Sequence, residues 1–98
     1  MELKTGDTVI VIMHSPREKL LAKLGEISPA GIIVRSIDLG YFDDWCRSIA
    51  EGEEHLEMSD NFFPMWRVER ITKDTALGDG QSMSEQFEGR TGMLLRDQ

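Results

Sequence analysis

Lys19-Leu20-Leu21-Ala22-Lys23-Leu24-Gly25-Glu26-Ile27, then Ser28-Pro29-Ala30-Gly31, then Ile32-Ile33-Val34-Arg35-Ser36-Ile37-Asp38 is the stretch on which the fold turns. The last run is dominated by branched side chains, whose stiff χ1 suits a pleated surface. Ser28-Pro29-Ala30-Gly31 is a tight-turn sequence, because proline presets φ and glycine accepts backbone conformations that other residues avoid. The first run is ambiguous taken alone: Leu20, Leu21, Ala22 and Leu24 combine good helix propensity with period-2 character. Its context favours a strand, since two extended runs around such a turn pair as a hairpin. A helix packed before the hairpin is the alternative.

Toward the N-terminus, Gly6-Asp7 signals a turn and Thr8-Val9-Ile10-Val11-Ile12-Met13 is too short for a helix and rich in β-branched residues, hence a first strand. His14-Ser15-Pro16-Arg17-Glu18 interrupts it, as Pro16 donates nothing to a ladder. Toward the C-terminus the composition changes over residues 40–60. Phe42, Trp45, Cys46 and Ile49 recur at i, i+3, i+4 and i+7, one face of a short helix, with Asp43 and Asp44 in its first turn and Gly52 as its stop. Glu51, Glu53, Glu54, Glu57 and Asp60 then surround only His55, Leu56 and Met58, a solvated loop. Phe62, Pro64, Trp66 and Val68 alternate against Phe63, Met65 and Arg67, which restores the strand pattern over 61–71. Pro64 puts that strand at an edge or points its amide position away from a neighbour, and Val68 with Ile71 suggests a short 3₁₀ turn or a final strand after it. Residues 72–81 read as a linker, and Ser82-Met83-Ser84-Glu85 as a capping box opening a helix with Met83 and Phe87 on one face. Met93, Leu94 and Leu95 in the tail either pack back on the sheet or hang loose.

The chain has 98 residues, 18 acidic and 11 basic, for a formal charge of -7. That length supports one core, and a field of that sign repels phosphate backbones and anionic lipid. Cys46 is the sole cysteine, so no intramolecular disulfide is possible and a bridge-stapled scaffold is excluded. Met1-Glu2-Leu3-Lys4-Thr5-Gly6-Asp7 lacks the basic and then apolar run of a signal peptide, and no apolar stretch is long enough to span a bilayer. A cytoplasmic protein with no membrane partner is the expectation.

The order strand, strand, turn, strand, helical insertion, strand, short strand resembles the bent five-stranded sheet of the SH3-like barrels, and among them the Sm-like proteins. Leu24-Gly25-Glu26-Ile27, Gly31-Ile32-Ile33-Val34 and Phe63-Pro64-Met65-Trp66-Arg67-Val68-Glu69-Arg70-Ile71 carry the likeness, over residues 5–73. The resemblance implies a five-stranded barrel, and with the elements read from the residues the expected fold is mainly β, a barrel with a short helical insertion between strands 3 and 4 and a short C-terminal helix. It also implies ring-forming or dimeric pairing of strand 4 with strand 5 of a neighbour, and binding of uridine-rich RNA. The base-contacting turn of that family, with its Asp and Asn, reads Ser28-Pro29-Ala30-Gly31 here, and its Arg-Gly pair is replaced by Arg67-Val68 or Arg70-Ile71. RNA is therefore disfavoured as a partner on two grounds, charge and missing contacts.

Chemistry-bearing residues are sparse. His14, Cys46 and His55 with Asp43 and Asp44 offer metal- or thiol-type groups, but none has a ligand-pair spacing, and Cys46 lies on an apolar helix face, where cysteine acts as a small hydrophobe. The acidic run 51–60 lacks calcium-loop spacing, and Arg17, Lys19, Lys23 and Arg35 are the one candidate basic patch. No phosphate loop, nucleophile elbow or Ser-His-Asp set is present. Tyr41, Phe42, Trp45, Phe62, Phe63 and Trp66 are too many rings for all to face inward if the strands alternate. The expected organisation is a barrel over 1–75 with its insertion at 40–60, followed by linker, helix and tail over 76–98. The expected function is a non-catalytic module with no cofactor and no metal, which self-associates or binds another protein through Phe62, Phe63, Met65, Trp66, Arg67 and Trp45. An RNA binder with altered base contacts, or a small metal- or thiol-dependent enzyme built on Cys46 and His55, are the alternatives.

Overall fold

A computed structural model describes residues 2–76 and 80–98. Five strands, β1 (Thr8–Met13), β2 (Glu18–Ser28), β3 (Gly31–Asp38), β4 (Ser59–Pro64) and β5 (Val68–Lys73), form one antiparallel sheet in the order β4-β3-β2-β1-β5. Two helices accompany them, α1 (Phe42–Ala50) and α2 (Met83–Thr91). The ambiguous run 19–27 is a strand, pairing with β1 on one side and β3 on the other. No pairing joins β4 to β5 among the described residues, so the sheet keeps two open edges where a hydrogen-bonded barrel was expected. No described helix is long and apolar enough to cross a membrane.

The sheet is nevertheless bent. Its edges β4 and β5 lie four interstrand steps apart, about 19 Å if the sheet were flat, yet the 3₁₀ turn Met65–Arg67 alone connects them, and three residues of such a turn rise only about 6 Å. The sheet must coil around its inner face to bring the two ends within that reach. Gly25 supplies part of the bend: β2 carries a bulge between Leu24 and Glu26, and a Cβ on Gly25 would stand 2.8 Å from the Ile33 carbonyl oxygen. Gly31 is equally constrained, since a Cβ there would meet the Phe62 ring at 2.8 Å.

Strand alternation sorts the apolar residues into two cores. Val9, Val11, Met13, Leu20, Ala22, Leu24, Ile32 and Val34 fill the concave side, with Phe63, Met65, Val68 and Ile71 packed against them. Leu21 and Ile37, one residue out of phase, face the opposite side and are covered by Phe42, Trp45, Cys46 and Ile49 of α1 together with Phe87 and Leu95. The four residues at helical spacing are therefore buried as a set, and Trp45 and Phe87 join the helices with ring centroids 4.6 Å apart. The capping box on α2 is formed, Ser82 Oγ accepting from the Glu85 amide and Glu85 Oε1 from the Ser82 amide. Leu95 is buried while Met93 and Leu94 are exposed, so of the three apolar tail residues Leu95 alone packs back on the fold.

Several boundaries differ from the sequence expectation, and β4 already starts at Ser59, inside the expected 40–60 insertion. The run 61–71 is broken at Met65: Pro64, without an amide proton, ends β4, a 3₁₀ turn Met65–Arg67 follows, and Val68 with Ile71 belongs to a final strand, the second of the two readings. β5 then continues to Lys73, into the expected linker. Leu77, Gly78 and Asp79 of that linker lie outside the described residues.

Candidate interaction surface

Residues 62–67 were expected to act together, and the backbone divides them. In β4, Phe63 stands opposite Ile32 and packs on the inner core, whereas Phe62 stands opposite Ile33 on the outer face. Phe62 is 56% exposed and Ile33 44%. Met65 turns inward, and Trp66, at the middle of the 3₁₀ turn, is 65% exposed with the His14 ring edge-on at 6.4 Å. Trp45, also assigned to this surface, lies in the core under α2 and presents nothing to a partner.

Arg67 is a clamp. Its Nη2 donates to Pro16 O at 2.9 Å and to Glu18 Oε1 at 2.6 Å, and its Nε donates to His14 O at 3.3 Å. The guanidinium fork thus fixes the β1–β2 turn beside Trp66, a geometry that a point-charge ammonium would not reproduce. Ile33 was not singled out from the sequence. The signal was present: in a period-2 strand with Ile32 and Val34 inward, Ile33 must point out.

Strand β4 ends the sheet, so half of its amides and carbonyls have no strand to bond to. Its approach is acidic. Glu51, Glu53, Glu54 and Glu57 are exposed, and among the described residues no cation lies within ion-pair distance of any of them. The Glu51 carboxyl, hydrogen-bonded to Glu53 and repelling its charge, holds the Glu53 carboxyl above the usual glutamate value.

Three of the four residues of the candidate basic patch are engaged elsewhere, and Lys19 is exposed. Lys23 and Arg35 are cross-strand partners. Lys23 Nζ donates to the carbonyls of Leu95 and Arg96, and Arg35 Nε to that of Gln98, so both hold the tail. Arg35 also pairs with Asp60, and Arg17 with Glu69. The amide groups opening α2 are likewise taken: Asp74 accepts from Met83 and Ser84, and Ser82 from Glu85, which leaves no donors there for an anion.

Cys46 is fully buried, and burial pushes its thiol up, away from the thiolate that nucleophiles and metal ligands use. His55 stands in the exposed loop with Nδ1 3.0 Å from the Glu53 carbonyl oxygen. No group of three metal-ligating side chains assembles among the described residues. A depression of about 470 Å³ opens between β5 and the start of α2, floored by Ile10 and Ile12 and edged by Arg70 and Lys73. Comparison with protein-family models, with curated proteins and with solved structures finds no match to this chain.

Proposed function

We propose that the coiled sheet is a small barrel of the SH3-like, Sm-like kind and that the protein is a non-catalytic interaction module. It docks another protein chain, a second copy included, at the β4 edge and the surface around Phe62 and Trp66. One observation carries the reading: two aromatic rings more than half exposed lie on and just after a strand with a free edge. Water gains nothing from such rings, whereas a partner strand gains both ladder bonds and apolar contact. The order β4-β3-β2-β1-β5 and its three-residue closing turn support the barrel, and β5 is the second open edge of the sheet. The arginines near this surface are paired with carboxylates, which supports a protein partner over a phosphate backbone.

Sedimentation velocity over a wide concentration range tests the self-associating form. The wild-type chain is expected to gain mass with concentration and a Phe62→Ser, Trp66→Ala double variant to stay monomeric. A wild-type chain that is monomeric throughout overturns self-association, and a double variant that associates like wild type overturns the assignment of the surface.

A further inference from the structure

We infer that the β4 edge takes an extended, cationic segment of another protein, added as a sixth strand antiparallel or parallel to β4, with an apolar side chain against Phe62 and Ile33 and Lys or Arg residues against the 51–57 loop. The inference deepens the function just proposed and rests on it.

The two edges of the sheet are not equivalent. β5 exposes Glu69, Arg70 and Thr72 and no large apolar side chain, so an added strand would find charge there but little apolar contact. β4 presents Phe62 at its centre, with Ile33 beside it on the same outward face of β3. An unpaired edge beside two exposed apolar side chains offers the two components that strand addition uses, main-chain bonds for affinity and a side-chain contact for selection.

Charge selects the occupant. The chain enters β4 through Glu51, Glu53, Glu54 and Glu57, none paired with a cation among the described residues. Asp60, the next acid, has only the part-exposed Arg35, which also holds the tail. A second copy brings too little positive charge to this loop: on its β5 edge Lys73 is held by Asp7, leaving Arg70 beside Glu69. A segment with several Lys or Arg residues supplies what the loop lacks, and electrostatic complementarity of that kind fixes register and speeds encounter.

The probe is a synthetic peptide of alternating valine and lysine, about ten residues long, enough at roughly 3.3 Å per residue to cover β4 and reach the loop. Binding is followed by calorimetry with the whole chain at low and at high salt. The wild-type chain is expected to bind it, more weakly at high salt. Phe62→Ser, an exposed site, is expected to weaken binding about tenfold or more. Glu53→Gln with Glu54→Gln and Glu57→Gln should weaken it and flatten the salt dependence. Two N-methylated peptides separate strand addition from mere charge attraction: methyl groups on one alternate set of amides should abolish binding and on the other set leave it intact. No binding at low salt, equal binding of a valine–glutamate peptide, or equal binding of both methylated peptides overturns the inference. If the lysine peptide fails while Phe62-dependent self-association is observed, the interaction module stands and its cationic partner falls.

Discussion

Trp45 concentrates two opposing effects in one side chain. It is 1% exposed, packed against Phe42 of its own helix and Phe87 of α2, yet its Nε1 has no hydrogen-bond partner among the described residues. A buried, unpaired N–H costs stability, while the ring volume supplies it. Trp45→Ala should therefore lower unfolding stability by about 3–5 kcal/mol, and Trp45→Phe, which removes the unpaired group and keeps most of the ring, should lower it clearly less. Denaturant unfolding of both variants measures the difference, and equal losses would show that the indole N–H is not a liability. The same residue marks how far sequence reached. Spacing assigned Trp45, correctly, to the apolar face of a helix, but nothing local says that a second helix from residues 83–91 will cover that face. Its assignment to an outer surface failed for want of that long-range contact. Ile33 shows the converse: its outward direction follows from strand period alone, but its exposure depends on where α1 stops covering β3.

Elements were legible wherever a local rule fixed them. β1, β3, α1 and the capping box of α2 depend on branched side chains, on one 3.6-period face and on Ser82 with Glu85, all short-range. The break at Met65 between β4 and β5 was not legible because period-2 alternation continues past Pro64 in the letters although the ladder does not. The cap has a pH signature. The Ser82 backbone amide, donating to Glu85, holds that carboxyl below its ordinary value, and the Lys4 amide does the same for Asp7. Each contribution is fully present above the unfolded-chain value, about 4.3 for glutamate and 3.9 for aspartate, and is lost as pH falls through the lower folded one. Glu53 has the opposite sign: raised by Glu51, it favours the fold below its ordinary value and ceases to as pH rises through the folded one. Urea midpoints measured from neutral to acid pH should fall on acidification, less steeply in Glu85→Gln. Glu53→Gln should stabilise slightly at neutral pH and not at acid pH. A Glu85→Gln curve parallel to wild type would remove the cap from the account.

At the scale of the whole molecule, the chain folds a charge of -7 around two cores on opposite faces of one sheet. Its strand order could be anticipated only through resemblance, because a meander of hairpins says where β1 to β3 lie but not that β5 returns to β1. That return is the pairing with the greatest sequence separation in the sheet: Val9 meets Lys73 and Met13 meets Val68, whereas β1–β2 and β2–β3 are local hairpins. Closing so long a loop is entropically unfavourable until its contacts reward it. The turn Met65–Arg67, described above as a geometric tether, thereby acquires a kinetic meaning. Because the strands it links include the most distant pairing in the sheet, folding is expected to divide into an early, hairpin-built half and a late joining event. Truncating Ile71 to Val should accordingly act mainly on the unfolding rate, and Leu24→Ala in the β2–β3 hairpin should slow refolding. Stopped-flow chevrons of the two variants measure that division, and a reversed pattern would mean that the distant strands meet first.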